Sequence, residues 1–174
     1  DVTANLTITG GVFSGGMNTV KNDDYSVLDI QGGSFSNTAG PTVLNWNVAT
    51  ISGGTFEVND DSYAVLANGF LPGGGDQGQM TITGGTFTAS GDGSGNLFGY
   101  GVGSNEGGSV TLDGGTFIGY IATSDDYPYS PVVKGGDYSQ PVVFGDNVHI
   151  LYYLRDIPGG AMELTDALAA ALGQ

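Results

Sequence analysis

Three Asp pairs, Asp23-Asp24, Asp60-Asp61 and Asp125-Asp126, are the clearest carboxylate clusters in the chain. Paired carboxylates at one place could serve glycoside hydrolysis or hold a hard cation. Each pair lies in a similar loop of a different repeat, however: NDDYSV, NDDSYAV and SDDYPYS. Asp and Asn close tight turns with their own side chains, so turn formation is the favoured reading. Asp23, Asp24, Asp60 and Asp61 are kept as candidate cation ligands beside it. Asp92-Gly93-Ser94-Gly95-Asn96 spaces oxygen donors like the opening of a calcium loop, but Gly103 stands where the bidentate acid belongs. Asp92 and Asn96 complete the candidate metal set beside the favoured reading of a flexible Gly/Ser insert; no cofactor is expected, with weak Ca2+ binding the one alternative kept open. His149 is the sole imidazole, and nothing near it in VHILYYL suggests a nucleophile. No catalytic residue is assigned.

Aromatic side chains beside amides and carboxylates are the other chemistry-bearing feature. Such groups stack on a neutral sugar and hydrogen-bond its hydroxyls, or contact a protein. Trp46 lies two residues beyond Val43-Leu44, and Tyr25, Tyr63, Tyr127 and Tyr129 flank the Asp-pair loops. Two Gly-rich inserts, Asn68–Gln79 and Gly91–Gly108, add Phe70, Asp76, Asp92, Asn96, Tyr100, Asn105 and Glu106. Loops leaving adjacent repeats at matching places would form one wall of a shallow groove. These residues and Trp46 are the candidate ligand-binding set.

The composition restricts the partners. The 174 residues carry 3 basic and 18 acidic side chains, a net charge of −15. Lys21, Lys134 and Arg155 make no phosphate-tracking surface, which excludes nucleic acid and disfavours anionic lipid and polyanionic sugars. There is no cysteine, hence no disulfide or thiolate chemistry. No stretch approaches 18 apolar residues, so no membrane insertion is expected. The start at Asp1 without a leader suggests a removed signal peptide or a piece of a longer chain.

The elements that position these groups come from a repeat. Six segments share the pattern apolar-x-Gly-Gly-x-aromatic: ITGGVF, IQGGSF, ISGGTF, ITGGTF, LDGGTF and VKGGDY. Their first glycines are Gly10, Gly32, Gly53, Gly84, Gly114 and Gly135, at intervals of 22, 21, 31, 30 and 21 residues. Upstream residues alternate, as in Leu6-Thr7-Ile8-Thr9, which predicts a strand with Leu and Ile inward and Thr outward. The Gly pair predicts a corner. The aromatic after it returns inward, giving a core stack in preference to a row of sugar-stacking rings. Short apolar strands follow at Val43-Leu44, Val65-Leu66 and Leu97-Phe98.

The I-x-G-G-T-F repeats, over about residues 5–140, resemble those of adhesin-like extracellular proteins of Gram-positive gut bacteria. That resemblance implies a right-handed parallel β-helix and carries no ligand-binding residues with it.

The expected fold is thus one all-β domain over residues 1–174, a right-handed parallel β-helix (β-solenoid) of about six coils. Residues 141–174 are expected to supply a last strand, Val148–Leu154, and a helical cap, Ala161–Leu172. A β-sandwich is the alternative fold. The expected function is a non-enzymatic extracellular or cell-surface module, a stalk or adhesin whose partners are a glycan or surface protein and neighbouring repeats of a longer chain. The alternatives are a polysaccharide lyase or hydrolase and, from the outward Thr rows, an ice-binding surface.

Overall fold

The computed structural model of the chain describes residues 4–69, 78–99, 109–121 and 131–140. The first repeat forms β1 (Ala4–Ile8), β2 (Val12–Ser14) and β3 (Val20–Asn22). The second forms β4 (Ser26–Ile30), β5 (Ser34–Asn37) and β6 (Val43–Asn45). The third forms β7 (Val48–Ile51), β8 (Thr55–Val58) and β9 (Leu66–Asn68). The fourth forms β10 (Gln79–Ile82), β11 (Thr86–Ala89) and β12 (Phe98–Gly99). The fifth and sixth run as single strands, β13 (Ser109–Ile118) and β14 (Val132–Tyr138), straight through their Gly pairs.

Every pairing among the described residues is parallel, and equivalent residues of successive repeats are register partners: Ile8 with Ile30, Ile30 with Ile51, Phe13 with Phe35, Phe35 with Phe56. An all-parallel ladder disposes of the β-sandwich, whose sheets are antiparallel. Alternation then fills the interior in rows. Leu28, Ala49, Met80 and Val110 are each 1% exposed, and Ile30, Ile51, Ile82 and Leu112 are fully buried. The rings of Phe13, Phe35, Phe56, Phe87, Phe117 and Tyr138 stack in one column, centroids 4.7–5.1 Å apart and planes within 10° of parallel. That spacing follows the strand separation. Aromatic pairs of this kind add about 0.5–1.5 kcal/mol beyond their buried area. The Phe column is core.

The right-handed β-helix expected from the repeat is corrected by the strand order. Ten strands form one sheet, β1-β4-β7-β10-β13-β11-β8-β5-β2 with β14 on β13, and β12-β9-β6-β3 form a second. The sheets curl through 271° into an open half-barrel, not a clear solenoid. The physical reason lies at the Gly pairs. β13 continues through Gly114-Gly115, so the pair bends the ladder without breaking it, and the arms before and after it belong to one curled sheet. Among the described residues there is no helix, so the expected helical cap is no part of what they form. Ala161–Leu172 and Val148–Leu154, where the cap and last strand were expected, lie outside the described residues, as does His149.

The two glycines of a pair meet different demands. The second has φ between 101° and 117° in all six repeats, a region L residues avoid. The first lies against the preceding repeat: a Cβ on Gly32 would stand 2.8 Å from the Thr9 carbonyl oxygen, and one on Gly53 2.5 Å from that of Gln31.

A second buried column was not anticipated. Asn22, Asn45 and Asn68 end β3, β6 and β9, all at most 4% exposed. Asn22 Nδ2 donates to Asn45 Oδ1, and Asn45 Nδ2 to Asn68 Oδ1, each at 2.7 Å. Buried amides demand partners, and here the repeats supply them to one another.

Candidate functional site

The small sheet carries a concave surface on its outer face. Val43 and Asn45, Leu66 and Asn68, and Phe98 face inward, so alternation turns Leu44, Ala67 and Gly99 outward. These three are register partners in one row that begins at Lys21. Side-chain volume falls from Leu to Ala to Gly along the row, and the floor drops with it. The loops between the second and third strands of each repeat stack into a rim: Met17 and Asn18, then Ala39-Gly40-Pro41, then Asp61-Ser62-Tyr63-Ala64, then Asn96. The result is a groove of about 490 Å³, within the range of small-molecule sites.

Local chemistry fixes that rim. Asp60 Oδ1 accepts from the Ser62 amide at 2.8 Å, and the Asp60 carbonyl from the Tyr63 amide at 3.3 Å, which closes a turn and sets Tyr63 on the groove. Gly40 packs so closely on the Met17 carbonyl that no side chain fits there. Asn37 ties the loop below it: its Oδ1 accepts from the Thr38 and Ala39 amides, and its Nδ2 donates to the carbonyls of Gly16 and Pro41. Met17 is 83% exposed and Tyr63 39%, so the apolar part of the rim is open to a ligand. Among the described residues Asp61 is the one carboxylate lining the groove, with Asn18, Ser62 and Asn96 as neutral polar groups.

The sequence-derived candidates divide among several places. Asp61 and Asn96 line the groove. Asp60, its neighbour in the turn, spends its carboxylate on the Ser62 amide. Asp92 does the same, accepting from the Ser94 amide at 2.9 Å, and the Ser94 hydrogen bonds hold its carboxyl below the usual range. Asp23 is paired with Lys21, Nζ to Oδ2 at 2.9 Å, and accepts from the Asp24 amide. Hydrogen bonding to Lys21 first, then to Asp24, lowers its pKa. Trp46 is half-buried with the Lys21 ammonium 3.5 Å from its ring centroid, so one ring face is already covered by a cation. Among the described residues no three His, Cys, Asp or Glu side chains approach closely enough to hold a metal ion. Phe70, Asp76, Tyr100, Asn105 and Glu106 lie outside the described residues.

Sequence reasoning passed over the groove floor and much of its rim, Leu44, Ala67, Gly99, Met17 and Pro41. A signal did exist. The segments VKN, VLN and LAN recur at 23-residue intervals, and their middle residues face outward.

The outward Thr row is also placed. Thr7, Asp29, Thr50, Thr81 and Thr111 are successive register partners, so an acid interrupts the threonines. Asp29 accepts from Gln31 Nε2 at 2.6 Å.

No family model, curated protein or solved structure matches this chain.

Proposed function

We propose that the chain is a non-enzymatic, extracellular or cell-surface repeat module of stalk or adhesin type that binds a neutral glycan in the groove on its small sheet. The observation that carries this reading is the lining: an apolar floor of Leu44, Ala67 and Gly99 beside Tyr63, edged by Asn18, Asp61, Ser62 and Asn96. A pyranose ring offers the same combination, a C–H face that packs on an aromatic or aliphatic surface and equatorial hydroxyls that need donors and acceptors. The net charge of −15 repels an anionic ligand, which leaves uncharged sugar as the matching class. Glycoside hydrolysis needs two suitably spaced carboxylates, and the groove lining has Asp61. The resemblance of the GGTF repeats to extracellular adhesin-like proteins supports the location.

A panel of neutral and uronic-acid oligosaccharides, immobilised and probed with the purified chain, tests the proposal. Retention on one or more neutral members is expected, weakened about tenfold or more by Tyr63→Ala, which corresponds to about 1.4 kcal/mol. Binding confined to uronic-acid members, equal binding by the Tyr63 variant, or release of reducing ends would overturn it.

A further inference from the structure

The first repeat is buried on one side only. Leu6 is 50% exposed where its register partner Leu28 is 1%, Ile8 is 8% exposed where Ile30 is fully buried, and Phe13 is half-buried where Phe35 is 1% exposed. Among the described residues β1, β2 and β3 each pair with a single strand, β4, β5 and β6, which leaves one edge of all three without a described partner. Such an edge is a template for another strand.

The asparagine column says which strand. Each amide is oriented by backbone carbonyls, which can only accept: Asn22 Nδ2 donates to Ser26 and Val48, Asn45 Nδ2 to Asn47 and Gln79, Asn68 Nδ2 to Gly78 and Ser109. The column therefore has a direction, every Nδ2 pointing to the later repeat. Its leading end presents Asn22 Oδ1, an acceptor on a side chain 4% exposed, to which no described residue donates. A second copy docked head to head would bring a second acceptor to that point. A copy docked head to tail could not bring Asn68, which lies inside the sheet beneath β12 with its amide committed to Gly78 and Ser109.

We propose that the β1-β2-β3 face is a docking surface for a further repeat of the same Gly-Gly-aromatic type, running parallel and in register. That repeat carries apolar residues over Leu6 and Ile8, an aromatic ring over Phe13, and an asparagine whose Nδ2 donates to Asn22 Oδ1. The three contacts are those that already join the first repeat to the second, so the surface continues an interface the molecule uses throughout.

The test duplicates residues 4–25 in tandem between Thr3 and Ala4 of the full chain. Expected are a rise in Tm of about 3 °C or more and amide exchange in β1 slowed roughly tenfold or more. Asn22→Leu in the inserted copy should remove at least half of the rise in Tm. An unchanged Tm with β1 amides as fast as in the parent would overturn the proposal, as would an equal gain from the leucine form. Concentration-dependent dimerisation of the parent that protects its β1 amides would overturn it too, in favour of a second copy.

Discussion

Asn45 shows how much a single side chain does in this molecule. Its amide donates to Asn68, Asn47 and Gln79 and accepts from Asn22, all inside the fold. Asn45→Leu supplies similar volume but strands a donor on Asn22 and an acceptor on Asn68. Destabilisation of about 1–3 kcal/mol is expected for the buried groups left unsatisfied, read from urea melts. A Leu variant as stable as the parent would show that the column contributes nothing net. Asp23 gives a pH prediction through Trp46, the sole tryptophan. Lys21 reaches both residues, and its hydrogen bond holds the Asp23 carboxyl below the ordinary value of 3.8. A depressed folded pKa means the contact is intact above 3.8 and lost as pH falls through the lower folded value. Trp46 emission should accordingly hold steady from neutral pH down to about 4 and change below that, and Lys21→Met should abolish the change. A transition centred above the ordinary carboxylate value would contradict the pairing.

At the scale of elements, the Gly pairs decide how one repeat meets the next. Gly10 has no atom within 4 Å of where a Cβ would sit, whereas a Cβ on Gly53 would meet the Gln31 carbonyl oxygen at 2.5 Å. Gly10→Ala should change stability by no more than about 0.5 kcal/mol, and Gly53→Ala should cost about 1–3 kcal/mol, compared by denaturant unfolding. Equal effects would mean that the first glycine is not a contact residue. The strands themselves were legible, because period-two alternation and a fixed Gly-Gly-aromatic phase name the inward residue directly. Ile30, Ile51 and Phe56 are buried as that phase requires. The closure was not legible. Alternation sets which face a side chain takes but not the angle through which a sheet curls, and the continuity of β13 through Gly114-Gly115 is invisible in a string of letters. The Asn column was readable in principle from VKN, VLN and LAN, yet in strands of three residues the alternation is too brief to announce itself.

The molecule as a whole turns a repetitive sequence into two unlike surfaces. One arm presents the Thr row with Asp29 set into it, while the small sheet carries a groove because Leu44, Ala67 and Gly99 shrink along one register row. Repetition supplies the rigid base, and departures from repetition supply the site. The candidate residues read from the inserts missed this because loops announce themselves by composition. A groove floor is made by a size gradient across strands 23 to 32 residues apart in the chain, which no local window contains. The central claim is that neutral sugar binds on this floor, and amide chemical-shift mapping by NMR tests it most directly. Titration with the neutral oligosaccharide that binds best should shift the amides of Leu44, Tyr63, Ala67 and Gly99 most, with the sugar recovered uncleaved. Shifts centred on the Thr7–Thr111 face, or no saturable shift at the four groove residues, would contradict the account.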